Sequence, residues 1–269
     1  MPAELSPGLA AALGALQGVT EFLPISSSGH LSLAQRWLGI DAAAAGHRFN
    51  IVVHAGTLLA VLWVYRADVL ALLRALTPGG DPQTRRLLLA LAIGTAPLAL
   101  ALVPAVEAGI VAIEQRPAAI GVSLLVTAGL LAFSHFADRR QENAEATPGP
   151  LQALVIGLLQ LGAIIPGISR SGSTIAGALA LGISRLAAAR FSFLLSIPAI
   201  LGASLKEALE IAQAPAAGVD PLPFAIGFIA SFVVGLASLR LLVHLLVKVG
   251  LLPFVPYLVV VGLAALFIG

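Results

Sequence analysis

The chain has 269 residues, 59% of them hydrophobic and only 10% charged, with a mean hydropathy of +1.01. Soluble domains carry about 25% charged residues, and a fold of this length cannot hide so much apolar surface from water, so the composition excludes a soluble domain and indicates an all-α integral membrane protein. A net charge of +2 on scattered basic residues argues against a nucleic-acid partner, and the absence of cysteine removes any disulfide framework or thiol nucleophile.

From the N-terminus, no Lys or Arg precedes Arg36, so the basic leader of a cleaved signal peptide is not expected. The first apolar segment, 9–23, is too short to span and breaks at 24–30. Spanning helices, which need about 20 mostly apolar residues, are expected at 49–65, 87–106 and 118–136. A second short segment, 151–165, breaks at 166–174, and further spans are expected at 187–211, 224–246 and 251–268. The linkers 66–86, 107–117, 138–150 and 213–223 hold the charge, Pro and Gly. Each break is followed by another short apolar piece. Such segments read as re-entrant hairpins, at 6–40 and 151–184, because irregular backbone at membrane depth survives only where protein buries it or a cavity borders it.

The two broken segments are copies. Shifted by 143 residues, Gly14, Leu16, Gln17, Ile25, Ser26, Ser28 and Gly29 fall on Gly157, Leu159, Gln160, Ile168, Ser169, Ser171 and Gly172; Arg48 and Phe49 fall on Arg190 and Phe191 with a shift of 142. The chain therefore reads as a tandem duplication: repeat one at 1–136, a cytoplasmic linker at 137–150, and repeat two at 151–269, together one membrane domain. Three spans per repeat invert the second copy. Broken segments at matching places in an inverted repeat point to a site near the bilayer midplane. With the 66–86 loop in the cytoplasm, the inside holds Arg66, Arg74, Arg85, Arg86, Arg139, Arg140, Arg185, Arg190, Arg240 and Lys248; the outside holds Arg36, Arg48, Arg116 and Lys206. This excess fits the positive-inside rule and puts both termini outside.

Polar residues concentrate at the breaks. Gln17 and Glu21 are four apart, on one helix face, and a carboxylate at this depth requires a metal ion, a cation or a donated proton. Ser26, Ser27 and Ser28 suit a helix cap, but His30 stands one turn beyond Ser27, and a hydroxyl and an imidazole at that spacing can form a nucleophile–base pair. The second break brings Ser169, Arg170, Ser171, Ser173 and Thr174. Arg170 is the one basic residue expected near mid-membrane, and its fork of donors suits phosphate. Two helix N-termini facing each other add further donors. Asn50 and His54, matched by Ser192 and Ser196, read as interhelical hydrogen-bond formers bordering the site.

The runs QGVTEFLPISSSGH at 17–30 and PGISRSGST at 166–174 resemble the two signatures of the bacterial undecaprenyl-diphosphate phosphatases, the bacitracin-resistance family, and the similarity extends over essentially the whole chain. The resemblance implies hydrolysis of an isoprenyl diphosphate lipid to the monophosphate carrier used in peptidoglycan synthesis, in the bacterial plasma membrane, at a site open to the extracytoplasmic side. It also implies a divalent cation, Mg²⁺ or Ca²⁺, held by Glu21 and Gln17; position 17 is Glu or Gln in the family's pattern, and Gln here leaves one carboxylate. The catalytic positions it implies are Glu21, Ser27, His30 and Arg170, with Ser26, Ser169, Arg170, Ser171, Ser173 and Thr174 at the phosphates. A homodimer stays open as the assembly. Attack by Ser27, by His30 or by water all remain open at this level. The rival reading is a flippase of the phosphorylated lipid, because inverted repeats with broken helices also build transporters. The acid-phosphatase-like lipid phosphatases are echoed only at 28–30 and lack their Lys motif here.

Overall fold

The computed structural model describes residues 5–40, 47–138, 147–212 and 220–268, and among these every regular element is a helix. The helices are α1 (Pro7–Phe22), α2 (Ser27–Trp37), α3 (His47–Val64), α4 (Arg66–Ala75), α5 (Pro82–Thr95), α6 (Pro104–Glu114), α7 (Pro117–Ala137), α8 (Pro150–Gly162), α9 (Arg170–Ala180), α10 (Arg185–Ala212), α11 (Pro221–Val249) and α12 (Val255–Ile268).

Proline opens many of them, because the first turn needs no N–H from that position. Ser6, Asp81 and Asp220 stand just before such prolines, and their side chains accept backbone N–H groups of Leu9, Thr84 and Leu222. The Thr84 backbone N–H and hydroxyl hold the Asp81 carboxyl below its usual range. Proline also stops helices: α1 ends two residues before Pro24, and α8 ends before Pro166.

Four segments, Pro82–Leu102, Pro117–Ala137, Arg185–Lys206 and Pro221–Val249, are long and apolar enough to cross a bilayer, and α3 with α4 makes a fifth if that bent pair is one span. The protein is thus a multi-pass membrane protein. Large apolar side chains such as Trp63, Phe133 and Ile229 point outward, where lipid rather than water meets them.

The expected spans are met with differences. The span 49–65 is α3, but the chain bends by 78° and continues as α4 within the expected linker. The span 87–106 is α5 followed by a 3-10 turn, Ala96–Leu102, where Pro97 lacks the N–H that a continuing α-helix needs. The expected linker 107–117 largely holds α6. At 251–268 a 3-10 turn around Pro253 shortens the helical run, leaving it below spanning length. Arg139 and Arg140, most of the linker 137–150 and most of the loop 213–223 lie outside the described residues.

The packing partners alternate. Helix α1 lies along α11, and α8 lies along α5. Both contacts are glycine on glycine. A Cβ on Gly14 would stand 2.4 Å from the Gly227 carbonyl oxygen, and one on Gly157 would stand 2.5 Å from that of Gly94. Close backbone approach of this kind holds membrane helices together where lipid removes the hydrophobic drive. The contact of α1 with α11 is reinforced where Ser238 donates to the Gly18 carbonyl oxygen. On one face of the bundle, Arg185 joins three helix ends: it pairs with Asp138 at 2.5 Å and donates to the carbonyls of Leu246 and Val247. Arg190 ties α10 to Asp68 of α4 on that same face. At the opposite face Arg36 donates to the Gln115 carbonyl oxygen at 3.2 Å, and Ser32 to Glu114 at 3.0 Å.

Candidate active site

The two breaks in the chain meet. The Gly167 N–H donates to Ser26 Oγ at 3.2 Å, and Ser171 Oγ donates to the Leu23 carbonyl oxygen at 3.3 Å. Gly29 faces Gly167 so closely that a Cβ would stand 2.9 Å from the Gly167 Cα. Thr127 of α7 steadies the second break by donating to the Gly167 carbonyl and accepting from the Ser169 N–H, at 2.9 and 3.0 Å.

Glu21, buried at the end of α1, is the hub. Arg170 Nη2 donates to its Oε1 at 2.5 Å, Ser27 Oγ donates to its Oε2 at 2.6 Å, and Gln17 Nε2 donates to Oε2 at 3.1 Å. His54 Nε2 lies 3.9 Å from the same oxygen. The carboxylate that would be unaffordable alone is therefore compensated by a guanidinium from the second break and a hydroxyl from the first. Among the described residues four buried side-chain polar atoms have no partner: Arg170 Nη1, Gln17 Oε1 and Ser173 Oγ, and Gln160 Oε1 at the matching place on α8. A buried donor left open costs about 1–3 kcal/mol, which is tolerable where a ligand completes it.

The hydroxyls divide by duty. Ser26 caps α2 and Ser169 caps α9, their Oγ atoms accepting the N–H of Gly29 and Gly172. Ser171 is bonded to Ser169 and Leu23, and Thr174 to the Arg170 carbonyl and to Ser192 of α10. Only Ser173 is uncommitted among these hydroxyls.

The expected pairing of Ser27 with His30 takes another form. His30 Nδ1 lies 2.8 Å from the Ser26 carbonyl oxygen and Nε2 lies 2.8 Å from the hydroxyl of Tyr257 on α12. Ser27 turns to Glu21 because the backbone at Ser26 adopts φ 72°, ψ 98°. That left-handed region costs a residue with a side chain about 1–3 kcal/mol and persists only when neighbours impose it. Asn50 and His54 are linked as expected, with His54 Nδ1 2.7 Å from the Asn50 carbonyl oxygen, and Asn50 Oδ1 accepts from Gln35 at 2.8 Å. Tyr257 and Thr127 carry no sequence signal: Tyr257 is a single polar group in apolar α12, Thr127 is one of several small hydroxyls along α7, and only the tertiary packing brings each to a break.

The family model for bacitracin resistance protein BacA matches residues 10–264. A protein of Alcanivorax borkumensis named undecaprenyl-diphosphatase is 42% identical over 260 residues, covering 95% of this chain and 96% of its own. Proteins of the same name from Syntrophotalea carbinolica and Methanosphaera stadtmanae are 43% and 37% identical, covering 93% and 95% of this chain and 94% and 95% of their own. With matches spanning nearly its whole length, the chain belongs to the BacA bacitracin-resistance family.

Proposed function

We propose that this chain hydrolyses undecaprenyl diphosphate to undecaprenyl phosphate and inorganic phosphate within the membrane, returning the lipid carrier to cell-wall synthesis. The observation that carries the proposal is the triad at the meeting of the breaks: a serine hydroxyl on a carboxylate that also holds an arginine with one buried nitrogen open. The relatives bear the name of that reaction, and nothing comparable favours the flippase reading. The test is phosphate release from a C55 isoprenyl diphosphate by purified protein in detergent, where flipping has no meaning.

In the reaction, Ser27 Oγ attacks the terminal phosphorus while its proton passes to Glu21. The bond from that phosphorus to the bridging oxygen breaks, and undecaprenyl phosphate leaves. Arg170 Nη1 binds the terminal phosphoryl oxygens as charge shifts onto the leaving group. Ser173 is the free hydroxyl for the phosphates, while Ser26, Ser169, Ser171 and Thr174 hold the turns that aim the backbone N–H groups of α2 and α9. Glu21 passes the proton on to the lipid phosphate that leaves; water then attacks the phosphoserine, Glu21 takes a proton of that water and returns it to Ser27 Oγ as the serine–phosphorus bond breaks, and phosphate is released.

Among the described residues no group of three or more His, Cys, Asp or Glu side chains could enclose a metal. The donor chemistry nevertheless fits one Mg²⁺ or Ca²⁺: a carboxylate and a partnerless amide oxygen one turn apart, with phosphate and water completing the shell. Glu21 and Gln17 would hold it, and the ion would offset the charge of the diphosphate.

The fold reading extends to an inverted repeat with two re-entrant hairpins. Its support is the exchanged packing of α1 on α11 and α8 on α5, and the opposite faces at which the two broken segments end, Arg36 beside Gln115 and Arg185 beside Asp138. In this reading the Arg185 face lies on the cytoplasmic side of a bacterial plasma membrane and the site opens outward, with the basic residues of that face as its support.

A further inference from the structure

His30 and Tyr257 remain without a part in the phosphoryl transfer. The Ser26 carbonyl can only accept, so the His30 Nδ1 facing it carries a proton. Nε2 faces the Tyr257 hydroxyl, and the two rings stack with centroids 5.6 Å apart and planes 9° from parallel. Both ring nitrogens are therefore engaged, and neither bonds to Ser27, whose hydroxyl goes to Glu21.

The partner of Nδ1 matters because Ser26 is the one non-glycine residue with positive φ among the described residues. Its carbonyl accepts from both the backbone N–H and the ring of His30, and its hydroxyl accepts from Gly29 and Gly167. The duplicated segment supplies an internal control. Ser169, the counterpart of Ser26, has an ordinary φ of −73°. The counterpart of His30 is Ser173, whose hydroxyl has no partner. The turn is strained where an imidazole grips its carbonyl and relaxed where none does.

We infer that Tyr257 and His30 form a strut that sets the backbone of the Ser26–Ser27 turn. Tyr257 fixes the ring, the ring holds the Ser26 carbonyl, and the left-handed Ser26 turns the Ser27 hydroxyl onto Glu21. Both are positioning residues, and the proton of Ser27 does not pass through His30. The inference rests on Ser27 being the nucleophile.

The test is a series of His30 and Tyr257 variants, purified in detergent and assayed for kcat and KM on a C55 isoprenyl diphosphate. Asparagine puts an amide N–H where Nδ1–H stood but cannot accept a proton. His30→Asn is expected to keep kcat within about tenfold of the parent, while His30→Ala and His30→Gln lose about 100-fold with KM little changed, the scale of loss that a small misplacement of a reacting group produces. Tyr257→Phe keeps the stacking and loses the hydroxyl; it is expected to lower kcat by about tenfold. An Asn variant as poor as Ala overturns the strut and makes the imidazole a proton carrier. Full kcat in Tyr257→Phe removes Tyr257 from it. Ser27→Ala separates the two levels: if it stays active, the nucleophile itself is misassigned; if it is inactive while Asn equals Ala, only the strut fails.

Discussion

The Ser27 hydroxyl lies 2.6 Å from Glu21 Oε2, joined across the break by a bond that spans six residues. The same carboxylate is held by Arg170, so the proposed nucleophile, proton acceptor and phosphate clamp share one centre. Ser27→Ala is expected to be inactive, whereas Ser28→Ala, whose hydroxyl contacts only Ser26, should lose much less. Acid-stable phosphoenzyme trapped from the parent protein by rapid acid quench would place the phosphate on serine. Turnover of Ser27→Ala above about a tenth of the parent, under about 1.4 kcal/mol of barrier, would instead assign the attack to water or to His30.

Arg170 uses two nitrogens for two tasks. Nη2 binds Glu21 and Nη1 is open. A lysine ammonium is a point charge and cannot span both. Arg170→Lys should therefore fall nearly as far as Arg170→Ala, by about 100-fold in kcat, or about 2.7 kcal/mol. Near-parental kcat for the lysine variant would reduce Arg170 to a general source of charge.

The cation can be examined at Gln17. Gln17→Glu places a second carboxylate beside Glu21, a repulsion that a bound divalent ion removes. That variant should require less Mg²⁺ for half-maximal activity, and added Mg²⁺ should raise its melting temperature more than it raises the parent's. Undiminished activity of the parent in excess chelator would take the ion out of the mechanism.

Orientation is accessible to labelling, because the chain has no native cysteine. Gln83 and Gln115 are exposed residues at opposite faces. In intact cells an impermeant maleimide should modify Gln115→Cys and leave Gln83→Cys untouched until the membrane is opened. The reverse pattern would invert the protein.

Much of this site was legible because its chemistry is local. Gln17 and Glu21 share a face by helical period alone, and the duplicated break announced that Ser27 and Arg170 occupy matching places in two hairpins. What the spacing could not give was direction. Three residues separate Ser27 and His30, which predicts a common face only if the helix has already begun; the left-handed Ser26 stands at its very start and sends the hydroxyl back to α1. Tyr257 was illegible for another reason: its bond to His30 spans 227 residues, and neither periodicity nor composition encodes so remote a contact. The short helices α4 and α6 were lost among linkers because apolar runs of about ten residues carry no spanning signal.

The packing of α1 against α11 has a consequence for biosynthesis. As the chain emerges from the ribosome, Glu21 is made 149 residues before the arginine that neutralises it, and Gly18 is made 220 residues before the serine that clamps it. The first helix synthesised is thus among the last to settle. Until α9 brings Arg170, α1 carries an unpaired carboxylate that hydrocarbon disfavours, and until α11 follows it lacks the helix along which it packs. The length of the nascent chain, rather than the apolarity of α1, thus sets when both needs of this helix are met.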